Sequence, residues 1–252
     1  FRSTREFLEA QGRGDQWVEL KSDPDAVYDE EFTIDLSTLV PLAACPHSPD
    51  AVKPVEELAD IKVDQVCIGS CTNSSYLDMM RVAAILKGKT VHPDVSLTIG
   101  CGSKQVYNML ALNGALADII AAGARVLECA CGPCIGMGQS PNSGGVSLRT
   151  FNRNFEGRSG TADGQVYLVS PETAAASALT GMFTDPRTLE GWEEISMPKE
   201  FLINDNMIVP PIEEALMETV EIQRGPNIKP FPIAKPLEDS IQKKAILKVG
   251  DN

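Results

Sequence analysis

Between residues 63 and 180 the chain alternates short apolar runs with stretches of helical spacing, and this alternation limits the fold more than any other feature. Residues 63–68, 95–99, 125–127, 146–151 and 166–169 read as buried strands. Residues 76–86, 105–112 and 115–122 place apolar side chains at helical spacing. The first of these helices follows the cap-like Thr72-Asn73-Ser74-Ser75, and Gly123 closes the last. Ser170-Pro171-Glu172 opens a further helix to residue 179: Ser caps, Pro suits the first turn, and Glu favours the positive end of the helix dipole. The pattern predicts an α/β fold, a three-layer βαβ architecture with a largely parallel sheet. Ligands of such sheets collect in the loops at the carboxyl ends of the strands. Cys71, Gly102-Ser103-Lys104, Cys131-Gly132-Pro133-Cys134 and Asn152-Arg153-Asn154 each follow a strand, which brings four loops to one edge.

The flanks differ in character. Residues 1–58 combine an acidic stretch with a Pro-containing segment and lack a complete repeat of the pattern, so they read as the C-terminal part of a preceding α/β domain. Residues 59–202 form the central domain, and the proline-rich residues 203–252 read as an extended linker. Within that linker, 212–220 carries a short helical pattern and 245–249 a strand-like one.

The net charge of −13 argues against DNA, RNA or an anionic membrane as the main partner. An anionic substrate therefore requires a local cluster of Arg or Lys. No apolar run approaches the ~20 residues that span a bilayer. The seven cysteines are odd in number and irregularly spaced, a poor disulfide framework, which fits a reducing compartment. Cys67 and Cys101 end apolar runs and read as small buried hydrophobes. Cys45-Pro46-His47 reads as a chance pairing, and neither His47 nor His92 is assigned a role.

Cys71, Cys131 and Cys134 are the chemical focus. A CxxC with one distant cysteine offers three thiolates, one short of a closed structural zinc site or a fully ligated iron–sulfur cluster. An open position on a metal is where chemistry takes place. A redox pair requires the CxxC to open a long helix, and the glycine-rich 135–145 does not suit one. A zinc ribbon requires a second CxxC, and the sequence has none. Spacing favours a cluster, with zinc, a redox pair and inert packing left open. Arg153 and Arg158 form the second element, because guanidinium forks match carboxylates with paired hydrogen bonds. A lone surface turn with Glu156 pairing one arginine would explain them equally, were they not in a loop at the same sheet edge.

Gly69-Ser70-Cys71-Thr72-Asn73-Ser74, Ala130-Cys131-Gly132-Pro133-Cys134-Ile135-Gly136 and Asn152-Arg153-Asn154-Phe155-Glu156-Gly157-Arg158 resemble, in order and separation, the signature segments of the aconitase superfamily. The resemblance implies a [4Fe-4S] cluster on Cys71, Cys131 and Cys134, with one iron lacking a protein ligand. It places Asn152 beside the cluster and Arg153 and Arg158 on a di- or tricarboxylate substrate. The implied reaction is citrate to isocitrate by dehydration and rehydration. The alternatives are an isopropylmalate or homoaconitate dehydratase large subunit, or a cluster- or metal-binding regulatory module without turnover. Cys101-Gly102-Ser103 departs from the family pattern, so Ser103 and Lys104 receive no substrate role. The acid and base residues of the family are expected in N- and C-terminal domains outside this sequence, which are its expected partners. The chain alone is therefore expected to be inactive, and its expected location is the cytoplasm or, in a eukaryote, the mitochondrial matrix.

Overall fold

A computed structural model describes residues 2–191 and 195–250. The chain divides into two compact units, Phe1–Asp205 and Asn206–Asn252.

The first unit is built on a seven-stranded sheet of order β2-β1-β7-β6-β3-β4-β5. Its strands are β1 (Leu42–Ala44), β2 (Val52–Pro54), β3 (Gln65–Ile68), β4 (Ser96–Gly100), β5 (Arg125–Leu127), β6 (Val146–Arg149) and β7 (Gln165–Leu168). Strands β3 to β7 pair in parallel, while β1 runs antiparallel to both β2 and β7. The sheet therefore crosses the boundary expected at residue 58, because β1 and β2 extend the same sheet at its left edge. Each is three residues long, too short for periodicity to reveal. Before them come α1 (Arg2–Ala10) and coil with two 3-10 turns.

The remaining helices are α2 (Tyr76–Leu86), α3 (Lys104–Leu112), α4 (Ala115–Ala121) and α5 (Pro171–Thr180). Helix α2 begins in a capping box: Asp78 N donates to Ser75 Oγ at 3.2 Å, and Ser75 N donates to Asp78 Oδ2 at 3.0 Å. Its Met79, Val82, Ala83 and Leu86 recur at helical spacing and are buried. Met79, Ile85 and Leu86 are withdrawn from solvent, each contributing about 1.5–3 kcal/mol relative to exposure. Ser170 caps α5 by accepting from Thr173 N at 3.1 Å, as the sequence pattern predicts. Helix α2 lies between α5 and α4, and these helices share one core with Val66, Ile68, Leu97, Ile99 and Leu148 of the sheet.

The opposite face of the sheet is polar. Residues alternate between faces along a strand, and the register aligns Gln65 with Ser147 and Cys67 with both Arg149 and Thr98. Ser147 Oγ donates to Gln65 Oε1 at 2.8 Å. Arg149, fully buried, reaches from this face to the carbonyl of Pro133 at 2.6 Å. The coil crossover 128–145 thus covers this face.

That crossover creates the feature which locates the site. From β3 the chain proceeds rightward through β4 to β5, then returns to lay β6 on the other side of β3 and continue leftward to β7. The chain thus leaves the adjacent strands β3 and β6 in opposite directions, and the carboxyl ends of strands at such a switch point are where ligands of these sheets collect.

The second unit has turns and one 3-10 segment, Glu214–Thr219, where the helical pattern at 212–220 was expected. The strand expected at 245–249 is not formed: those residues are exposed coil. Asp251 and Asn252, the last two residues of the segment read as a linker, lie outside the described residues.

Candidate functional site

The loop after β3 is held tightly around its cysteine. Gly69 adopts φ +135°, and a Cβ there would lie 2.0 Å from the Gly100 carbonyl oxygen, so only glycine lets β3 and β4 end this close together. Ser70 follows at φ +78°, a left-handed conformation that non-glycine residues adopt at a cost of about 1–3 kcal/mol. Its Oγ accepts from Thr72 N at 3.2 Å, and the Ser74 hydroxyl donates to its carbonyl. Gly69 N donates to Thr150 Oγ1 at 2.9 Å, and Asn73 Nδ2 to the Thr150 carbonyl at 2.6 Å. Cys71 stands exposed at the apex. Helix α2 starts only at Tyr76, with Ser75 as its cap, so Cys71 lies beyond the reach of the first turn's dipole.

The CxxC forms a single 3-10 turn, Gly132–Ile135, rather than the start of a long helix. Cys134 N donates to the Cys131 carbonyl at 3.1 Å. Gly136 ends the turn at φ +84°, where a Cβ would lie 1.9 Å from the Ser159 carbonyl oxygen. The cysteine turn is thereby seated directly on the arginine loop.

Asn154 roots that arginine loop. It is fully buried, and its Nδ2 faces three carbonyls: Cys45 at 2.8 Å, Val166 at 3.3 Å and Ala44 at 3.4 Å. Arg153 is exposed, and the half-buried Arg158 lies over the Phe155 ring at 5.6 Å. Among the described residues neither arginine pairs with Glu156, so the surface-turn explanation is not realised.

Cys71, Cys131, Cys134, Asn152, Arg153 and Arg158, the six residues singled out from the sequence, all line one cavity of about 650 Å³. Three of the four loops contribute. The loop after β4 does not, because Ser103 caps α3 by accepting from Val106 N at 3.2 Å, and Gly102 packs on Ser74. Sequence reasoning missed Arg125 and Glu128, which lie on β5 and just beyond it and also line the cavity. Apolar Leu127, Ile135 and Met137 complete part of the wall. Three arginines face one carboxylate here, in a chain whose net charge is −13. The cavity concentrates positive charge within an acidic protein.

The cysteines share the cavity, but among the described residues no three Cys, His, Asp or Glu side chains converge closely enough to hold a metal ion. Their donor chemistry still suits an iron–sulfur cluster: three thiols, glycine-rich backbone, and no histidine or fourth cysteine on the wall. Burial raises the Cys134 thiol above its ordinary range; nearby Cys131 and Cys71 add to this, and Arg158 and Arg149 partly oppose it. Cys134 is thus protonated at neutral pH, and binding a metal there must release a proton. Alkylation of Cys134, followed by peptide mass spectrometry across a pH series, is expected to reach half its maximal rate at a higher pH than that of a free cysteine alkylated alongside it. A midpoint at or below the usual thiol range would contradict this. Cys67 and Cys101 are buried, as their strand positions predict, and Cys101 is pushed up to about 12, mainly by burial.

Comparison with known proteins agrees with this arrangement. Residues 51–181, more than half of the chain, match the Aconitase family (aconitate hydratase). The chain is 46% identical over 187 residues to a 3-isopropylmalate dehydratase large subunit 1 of Thermotoga maritima, covering 73% of this chain and 45% of that subunit. It is 47% identical over 170 residues to the corresponding large subunit 1 of Methanopyrus kandleri, covering 67% of this chain and 40% of that subunit. A large subunit 2 of the same name from Archaeoglobus fulgidus is 41% identical over 186 residues, covering 73% of this chain and 45% of that subunit. The chain therefore spans less than half the length of these relatives. With its cysteine turn, its Cys71 loop and its arginine loop meeting at one switch point of a mostly parallel sheet, the chain belongs to the aconitase family.

Proposed function

We propose that this chain is the cluster-bearing part of a hydro-lyase that moves a hydroxyl between neighbouring carbons of a 3-isopropylmalate-type substrate by dehydration and rehydration. The observation that carries the reading is the cavity itself, where three cysteines stand with Arg153 and Arg158, neither of which forms an ion pair among the described residues. Cys71, Cys131 and Cys134 would hold a [4Fe-4S] cluster, which supplies a Lewis-acidic iron for the leaving hydroxyl when bound. Arg153 and Arg158 hold the substrate carboxylates and orient the molecule, and Asn152 donates a hydrogen bond at the cavity wall.

The names of the relatives favour isopropylmalate over the citrate expected from the sequence. The wall points the same way. Leu127, Ile135 and Met137 offer contact to an alkyl branch, which citrate lacks. A small subunit and further domains of the same enzyme are the proposed partners.

The test is anaerobic reconstitution with iron and sulfide, followed by visible absorption and electron paramagnetic resonance after mild oxidation. A three-iron signal lost in Cys134→Ser is expected, whereas one tightly bound zinc and no iron would overturn the cluster. The signal should shift on adding 3-isopropylmalate at lower concentration than citrate. Arg153→Gln should weaken that response about 10- to 100-fold, the worth of a charge-assisted hydrogen bond. An unchanged response would remove Arg153 from the substrate site.

A further inference from the structure

Among the described residues Arg149 is the largest fully buried side chain, and none of their carboxylates forms an ion pair with it. Its Nε donates to Ser147 Oγ at 3.0 Å, and one Nη2 hydrogen bond runs to Gln65 Oε1 at 2.9 Å. Its remaining hydrogen bonds cross to the coil: Nη1 to the Pro133 carbonyl at 2.6 Å, and Nη2 to the Gln139 carbonyl. The guanidinium also lies over the Phe151 ring at 5.6 Å. Every oxygen it meets is neutral, and among the described residues no carboxylate pairs with it. A buried charge without an ionic partner is costly, and hydrogen bonds to neutral oxygens offset that cost only in part. A core that required only volume would be served better by an apolar residue.

The two carbonyls that Arg149 holds are placed to matter. Pro133 immediately precedes Cys134, and Gln139 lies within the glycine-rich stretch that follows it. Thr150, the next residue, holds Gly69, two positions before Cys71. The end of β6 thus grips both cysteine loops and then continues into the arginine loop.

We propose that Arg149 is the positioning residue of the cysteine site, its buried fork fixing the turn that carries Cys134 against the sheet and its uncompensated positive charge answering the negative charge of a ligated cluster. The inference rests on the cluster reading above for the charge, but not for the positioning. A lysine could keep the charge but cannot bridge two carbonyls with a planar fork. Arg149→Gln removes both.

Two measurements on the 252-residue chain test this. Thermolysin cuts beside exposed apolar residues, and Ile135 and Met137 are 50% and 68% exposed, so protection there depends on the backbone being held. Both variants should be cleaved at these bonds at least tenfold faster than the parent, with helix content by circular dichroism unchanged. After reconstitution, the three-iron resonance of Arg149→Gln should change line shape and its iron should pass to a chelator at least tenfold faster, with Arg149→Lys intermediate. General destabilisation would not reshape that signal. Parental cleavage rates in the folded variants, or an unchanged line shape, would overturn the proposal. So would loss of the whole fold in both variants, since Arg149 would then serve the core and not the site. Failure of the parent chain to take up iron would refute the cluster, and the cleavage rates would still decide the positioning role.

Discussion

Replacing Gly69 by alanine should destabilise the first unit by about 3 kcal/mol or more, the sum of positive-φ strain and a backbone collision. The added Cβ would lie 2.0 Å from the Gly100 oxygen and 3.0 Å from its carbonyl carbon. Neither is the tip of a flexible side chain, so relief requires the ends of β3 and β4 to separate. For a unit of this size the loss corresponds to about 6–12 °C in the unfolding midpoint. The local consequence is more specific. Separation draws Gly69 away from Thr150, whose hydroxyl both accepts from its N–H at 2.9 Å and donates to its carbonyl at 3.2 Å. Cys71 then loses its fixed position, and iron uptake after reconstitution should fall even in the fraction that remains folded. A thermal midpoint within 2 °C of the parent would show that the strand ends can yield, which would undo the argument.

The second large effect is expected at Asn154. Asn154→Ala leaves the carbonyl of Cys45, and in part those of Val166 and Ala44, without a donor in a fully buried place. A buried acceptor left unmade costs about 1–3 kcal/mol, and the vacated volume adds to it. The donor half carries the interaction, since Asn154 Oδ1 has no partner. Asn154→Asp keeps the shape but faces the same three carbonyls with a carboxylate, so it should be worse than alanine. Urea unfolding of the two variants checks the order. If Asp proved the milder change, the three carbonyls would not be what holds Asn154. Because the Asn154 side chain roots the loop that carries Arg153 and Arg158, both variants should also weaken carboxylate binding.

Much of the first unit was legible along the chain. The helix of α2 and the strand of β5 have the bounds their patterns predict, and Ser170-Pro171 opens α5 as its chemistry requires. These elements are decided locally, by caps, apolar spacing and turn residues, so neighbouring sequence suffices to read them. What was not legible depends on partners far along the chain. The three-residue strands β1 and β2 exist because β7 leaves an edge for them, and the strand-like run at 245–249 is coil. Arg149 reads as the polar end of a strand until the crossover is seen to lie over it. Asn154 sits within a motif noted for its arginines, yet its side chain turns to the carbonyls of Ala44 at the end of β1, Cys45 just after it and Val166 of β7.

By itself the sequence determined the alternating α/β class, the cysteines and arginines proposed to supply the chemistry, and the strand ends on which they stand. Residue type, local spacing and the stereochemistry of caps are properties of short stretches, and they survive without the fold. Only the tertiary structure decided that β6 returns beside β3, and that return brings the cysteine and arginine loops to one cavity. It also decided that the loop after β4 would stand outside the cavity and that a buried, unpaired arginine would hold the cysteine turn. Those outcomes follow from strand order and long-range hydrogen bonding, which couple residues roughly 80 positions apart and which no local pattern encodes.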